Sequence, residues 1–273
     1  YYYLKHSYRE DGKVKTVERY LGKEIPKKKE IEMIKNQLKG ASQKIIYRKL
    51  EKIRKNFQKE WKRCLESAKQ REKEEIAIAF TYNTNAIEGS TITLEETREI
   101  VVDKIAPNKS LKDIRETEAH FKVFLKMIET KEKISEKLLL KWHNEIFKET
   151  KPDIAGRFRD FLVRVGMYRA PDWQDIDKLM KEFFMFLKNA KMNQVELVAR
   201  AHYRFEKIHP FGDGNGRIGR LIMNHILWQN KYPMLIIEYA KRKSYYKALN
   251  RNEDGFVNYF LRRYLTVHKK MLK

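Results

Sequence analysis

The chain has little of what stabilises small secreted domains. It carries one cysteine, Cys64, in 273 residues. A lone thiol excludes an internal disulfide and fits a reducing compartment. No apolar run is long enough to cross a bilayer, and the opening YYYLKHSYRE lacks the apolar stretch of a secretory signal. The expectation is a soluble, cytoplasmic protein with no membrane partner. The first residue is Tyr1 rather than Met, so further residues are expected to precede it. Acidic residues are also scarce, 37 against 60 basic ones, for a net charge of +23. Hydrophobic residues at 42% and aromatics at 12% are enough for a packed core, which excludes disorder as the default state.

About half of the excess charge, +11, lies in residues 1–75. A basic surface attracts nucleic acid, nucleotides or acidic proteins. Here the basic residues alternate with Glu and apolar residues at helical spacing rather than forming blocks. That pattern favours solvated, ion-paired helix faces of the kind enriched in thermophiles.

Residues 1–22 alternate polar and apolar around Asp11-Gly12 and predict a β-hairpin. Pro26 opens a charged helical stretch, interrupted near Gly40 and resuming to about residue 75. Its apolar residues Ile45, Leu50, Ile53, Phe57 and Trp61 make a one-sided helix that must pack on something. From Lys73 the run IAIAFTYNTNAIEG predicts a buried helix stopped by Gly89. Thr93 and Glu96 predict a capping box, and Ser110 and Ser135 predict N-caps for helices at 111–130 and 136–149. The stretch GRFRDFLVRVG reads as a short hairpin near 157–168. Helices follow at 175–189, 194–208, 216–230, 242–250 and 254–272. The fold class is therefore mainly α, about nine helices with two small hairpins.

Three of the eleven glycines fall within HPFGDGNGR, His209 to Arg217. Pro210 ends the preceding helix and leaves His209 at its exit. A glycine-rich turn that runs into a helix N-terminus presents unpaired N–H groups and the positive end of the helix dipole, which together form an anion site. Arg217 and Arg220 emerge on one side of the first turn, and arginine's planar fork suits phosphate. Asp213 is a hard oxygen ligand that could hold Mg²⁺. His209 is the one group here able to take a proton near neutral pH. Each element alone is ordinary: a helix-end histidine, a turn, a pair of solvated arginines. Their concentration within twelve residues is what points to a site.

The run His209-Pro210-Phe211-Gly212-Asp213-Gly214-Asn215-Gly216-Arg217, with Arg220 three residues on, resembles the signature loop HxFx(D/E)GNGRxxR of the Fic domain family. The resemblance extends over about residues 76–260 and leaves the first 70 outside. It implies a Fic-type helical bundle with a β-hairpin flap; by their own patterning, an N-terminal hairpin segment (1–25) and a charged helical region (26–75) precede it. The Fic domain itself would span 76–273. The implied activity is transfer of AMP from ATP, with Mg²⁺, to a Ser, Thr or Tyr hydroxyl of a target protein or of the chain itself. By position, His209 would be the general base and Asp213 the Mg²⁺ ligand. Gly214, Asn215 and Gly216 would form the anion hole, with Asn215 also fixing the α-phosphate. Arg217 would take the β-phosphate, Arg220 the γ-phosphate, and Phe211 would anchor the loop in the core. The flap residues Phe161, Leu162, Val163, Arg164 and Val165 would add a strand of the target by main-chain pairing. Tyr245 or Tyr246 would lie beside adenine, although aromatics at this spacing equally suit a core.

Thr84-Asn85-Ala86-Ile87-Glu88-Gly89 resembles the family's inhibitory motif (S/T)xxxE(G/N), on a helix at about 76–89. It implies that Glu88 pairs with Arg220 in place of the γ-phosphate; read on its own, Glu88 is an ordinary helix-end carboxylate. The same residues fit removal of AMP from a modified protein. A nucleic-acid-associated nucleotide sensor is a third reading, resting on the basic first quarter. A homodimer is a further expectation carried by the family alone.

Overall fold

The computed structural model describes residues 1–10 and 13–273, so the turn expected at Asp11-Gly12 lies outside the described residues. Strands β1 (Tyr2–Glu10) and β2 (Lys13–Gly22) pair antiparallel, with Lys5 opposite Glu18 and Ser7 opposite Thr16. Both pairs make polar contacts across the strands, at 3.0 and 2.9 Å. The hairpin packs on the start of α1 (Lys28–Arg63).

Helix α1 runs unbroken for 36 residues, so the interruption expected near Gly40 does not occur. One interior glycine costs about 1 kcal/mol against alanine, too little to end a helix whose downstream half is packed. Leu50 and Ile53 are fully buried, and Phe57 and Trp61 cluster with Trp228. The break falls instead at Cys64, whose backbone is extended. Helix α2 then spans Glu66–Ile87, ten residues earlier than the apolar pattern suggests. Its first half is solvated. Its second half buries Ala77, Ile78, Phe80, Thr81 and Thr84–Ile87, and Gly89 stops it at φ 98°.

The short α3 (Leu94–Arg98) starts at Thr93, where both bonds of the capping box form. Ser110 and Ser135 cap α4 (Leu111–Glu129) and α5 (Glu136–Phe147) as expected. The flap is smaller than expected. Only Arg164–Val165 (β3) and Tyr168–Arg169 (β4) pair, and residues 157–163 form an irregular arm. Arg159 is the reason: its buried guanidinium donates to the carbonyls of His209, Phe161 and Pro171. These bonds shape the arm around one side chain in place of a ladder. Helices α6 (Ile176–Asn189), α7 (Gln194–Ile208), α8 (Asn215–Gln229), α9 (Arg242–Leu249) and α10 (Glu253–Val267) complete the bundle. The last helix ends short of the expected residue 272, and a 3₁₀ turn follows it. At the centre α8 packs on α7, with α2, α4 and α5 also against it. The core closes around Phe80, Phe124, Phe147, Phe205 and Phe211.

Candidate active site

The loop between α7 and α8 has two left-handed residues, His209 at φ 52° and Gly214 at φ 77°. Glycine meets this requirement without cost at 214, where the ring of Phe147 also leaves no space for a Cβ. At His209 the conformation is strained. It is held by the bond from His209 N–H to the Phe205 carbonyl, 2.9 Å, and by the one from Arg159 Nε to the His209 carbonyl, 2.8 Å. Phe211 is fully buried, and His143 of α5 stacks on it at 4.0 Å between centroids. Gly156 N–H donates to His143 Nδ1, so His143 is neutral and its Nε2–H donates to the Asp213 carbonyl at 3.0 Å. Burial pushes its pKa down to about 4, which keeps this bond in place at neutral pH.

Asn215 has a different place from the one the resemblance implies. Its side-chain oxygen accepts from Phe211 N–H and its amide donates to the Phe211 carbonyl, both at 2.8 Å. Its carbonyl oxygen and one amide hydrogen are thus used in clasping the loop. Gly214 N–H is taken by Asp213 Oδ1 at 2.5 Å. The N–H groups of Asn215, Gly216 and Arg217 lie in the first turn of α8, where an N–H has no carbonyl four residues earlier in the helix to bond.

His209 is mostly buried. Burial chiefly, with the Arg159 guanidinium adding, holds its pKa below the ordinary histidine value, so the ring is unprotonated at neutral pH. Its Nδ1 has no hydrogen-bond partner among the described residues.

The two arginines both have partners from distant helices. Arg220, 1% exposed, donates from Nε to Thr84 Oγ1 at 2.7 Å and from Nη2 to the Thr84 carbonyl at 3.3 Å. The same Nη2 meets Glu88 Oε1 at 2.5 Å. Arg220 thus forms one cluster with Thr84 and Glu88, 136 and 132 residues before it in the chain. Gly216 lies beneath it: a Cβ there would strike Glu88 Oε1 and come within 2.9 Å of Arg220 Nη1. Arg217 pairs with Glu116 of α4, and its buried Nε has no acceptor among the described residues.

Glu116 and Lys151 were not legible as site residues. Lys151 follows α5 and reaches Asp213 Oδ2 at 2.6 Å and Glu116 Oε1 at 3.1 Å. Arg217 Nη2 stands 3.9 Å from Asp213 Oδ1, so Arg217, Glu116, Lys151 and Asp213 close a ring of alternating charge. Burial opposes ionisation of both carboxyls. The neighbouring cations outweigh it, and Glu116 and Asp213 sit below the usual carboxylate range. The one signal in the sequence was a glutamate in the apolar stripe of α4, one turn before His120. Nothing marked Lys151, His143 or Arg159.

Tyr245 is enclosed rather than open to a ligand. It is 1% exposed with its hydroxyl 2.7 Å from His202 Nε2, so its ring belongs to the core. Tyr246 is 41% exposed and donates to the Ile87 carbonyl at 3.3 Å; of the pair, it alone has an open face. In the flap, Phe161 packs against the loop at Gly212, and Arg164 and Val165 are exposed on the strand.

Glu88, Glu116, Lys151, Asp213 and Arg217 line one polar cleft of about 190 Å³. Ligand pockets usually hold roughly 300–1,000 Å³, so a bulky ligand enters only if some of these arms move aside. No helix among the described residues is long and apolar enough to cross a membrane.

The model of the Fic/DOC family matches residues 133–227. A protein adenylyltransferase Fic of Nematostella vectensis is 36% identical over 196 residues, 69% of this chain and 46% of that protein. One of Drosophila ananassae is 34% identical over 203 residues, 72% of this chain and 41% of its own length. The chain thus spans less than half of these curated relatives. Among solved structures, Fic-1 from C. elegans superposes with a TM-score of 0.71 at 25% identity, over 90% of this chain and 77% of that one. A Fic domain protein of Bacteroides thetaiotaomicron has a TM-score of 0.70 at 24% identity, over 82% and 96% of the two chains, and so shares the fold.

Proposed function

Because the chain belongs to the Fic/DOC family, we propose that it is a protein adenylyltransferase, held inactive by its own α2. The observation that carries this reading is one contact: the guanidinium placed to take the outermost phosphate of ATP is closed by Glu88. ATP and a protein bearing a modifiable hydroxyl are the substrates, and the chain itself is one candidate target.

His209, neutral and at the exit of α7 on the loop that leads into the first turn of α8, accepts the proton of the target hydroxyl. The oxygen then forms its bond to the α-phosphorus, and the bond from that phosphorus to the bridging oxygen breaks. Pyrophosphate leaves, and AMP stays on the target. The N–H groups of Asn215, Gly216 and Arg217 face the charge that develops on the α-phosphate. Arg217, on leaving Glu116, takes the β-phosphate, and Arg220, on leaving Glu88, takes the γ-phosphate. These contacts orient the leaving group, and in phosphoryl-type transfer such positioning and charge stabilisation are most of the catalysis. The free edge of β3 at Arg164–Val165 offers main-chain groups to an extended target segment.

Mg²⁺ fits this site. Asp213 is ionised, half exposed and on the cleft, and Mg²⁺ needs only one or two carboxylates beside phosphate oxygens. When bound, the ion would neutralise phosphate charge.

The test is incubation with labelled ATP and Mg²⁺ of wild type, Glu88→Gly, and Glu88→Gly combined with His209→Ala. Label should be weak on wild type, strong on Glu88→Gly, and absent when His209 is also removed. Label that ignores Glu88 refutes the inhibition. No label in any of the three, together with release of AMP from a modified protein, assigns the reverse reaction instead.

A further inference from the structure

The ring of four charges has a consequence for how the site opens. Asp213 and Arg217, the groups that would receive metal and β-phosphate, are each already paired inside the chain, to Lys151 and Glu116. Opening the site by simply breaking both pairs would strand Glu116, which is 5% exposed. A buried carboxylate left without a partner is strongly destabilising. Lys151 removes that difficulty, because its ammonium touches both carboxylates, at 2.6 and 3.1 Å.

We propose that Lys151 is a positioning residue that passes from Asp213 to Glu116 as the cleft fills, and so couples metal binding to release of Arg217. With a divalent cation on Asp213, Lys151 loses that partner and keeps Glu116. Glu116, now fully neutralised by Lys151, no longer needs Arg217, whose guanidinium turns to the phosphate. Each charge has a partner before and after, and no buried ion is left alone. Glu116 is also held by Thr150 Oγ1 at 2.9 Å, so it stays in place while its cation changes. Arg217 and Lys151 both lie over the Phe147 ring, at 4.4 and 4.9 Å, a common apolar floor on which the exchange takes place. The inference rests on the reading of Asp213 and Arg217 as metal and phosphate ligands.

The test measures binding, without turnover. Mn²⁺ affinity is read by electron paramagnetic resonance, and affinity for a non-hydrolysable ATP analogue is read with and without Mn²⁺. The ratio of the two analogue affinities is the coupling. Lys151→Met should bind Mn²⁺ about tenfold more tightly, since Asp213 is freed, yet show coupling about tenfold weaker, within the usual span of such effects. Lys151→Arg should keep the coupling. A Lys151 that only touched phosphate would weaken the analogue equally with and without Mn²⁺, and an unchanged ratio in Lys151→Met overturns the proposal. Glu116→Gln removes the destination of the exchange and should lose coupling as well; it decides the matter if Lys151→Met does not fold. Loss of Mn²⁺ binding in Asp213→Asn, with coupling untouched in Lys151→Met, sinks the exchange alone. Mn²⁺ binding that survives Asp213→Asn overturns the metal assignment and the exchange with it.

Discussion

Replacing Glu88 by glycine should make the protein less stable and at the same time better at holding ATP. Arg220 is fully buried, and removing the sole carboxylate of a buried pair typically costs about 3–5 kcal/mol. Two features reduce that here. The Glu88 carboxylate is 29% exposed, and Thr84 keeps both of its bonds to the guanidinium. A loss of about 1–3 kcal/mol is therefore expected, or a fall in Tm of several degrees at about 2–4 °C per kcal/mol for a chain near this size. The guanidinium regains an anion when the γ-phosphate arrives, so the same 1–3 kcal/mol returns as a roughly 5- to 150-fold gain in ATP affinity. Differential scanning fluorimetry reads both effects in one titration, with His209→Ala added to prevent turnover. Without nucleotide the Glu88→Gly protein should melt lower than its Glu88 counterpart, and with saturating Mg-ATP the gap should close. Equal ATP-induced shifts in the two proteins would mean that Glu88 and the γ-phosphate do not compete for Arg220.

Two further outcomes follow from the loop and its surroundings. Asn215→Ala removes both bonds of the clasp on Phe211 and leaves a buried N–H and carbonyl unpaired, at about 1–3 kcal/mol each; Tm should fall and labelling in the Glu88→Gly background should collapse, whereas a purely phosphate-binding role for the side chain would spare Tm. Burial depresses the folded-state pKa of His143, His202 and His268 to about 4, 3 and 4, so the unfolded chain binds up to three more protons than the native one below pH 6.5. Their stabilising contribution is complete above pH 6.5 and is lost as pH falls towards 4, with a slope approaching about 4 kcal/mol per unit. A Tm that stays flat between pH 7 and 5 would contradict the buried neutral histidines.

Much of the helical framework was readable because its signals are local. The caps at Thr93, Ser110 and Ser135 and the stop at Gly89 act within one turn of the residues that carry them. Local signals also misled. Gly40 looked like a break because propensity counts a glycine and cannot see Leu50 and Ile53 anchoring the same helix. The alternation in GRFRDFLVRVG looked like a hairpin from residue 157, but bonds from Arg159 to His209, Phe161 and Pro171 shape most of that arm.

The candidate groups of the loop were legible without the fold: histidine, glycines, aspartate and two arginines arrive together because turn and helix start are contiguous in the chain. The sequence also marked Glu88 as a partner for Arg220, through a motif whose members sit on one helix end. What those groups touch at rest came from the packing of distant helices. Glu116, His143, Lys151 and Arg159 come from α4, α5, the turn after α5 and the arm, 50 to 101 residues from their loop partners. Ion pairs and hydrogen bonds of that span leave no spacing pattern, since they depend on which helix faces meet. Packing is thus what turned Asn215 inward, buried Tyr245, and placed one lysine between two carboxylates.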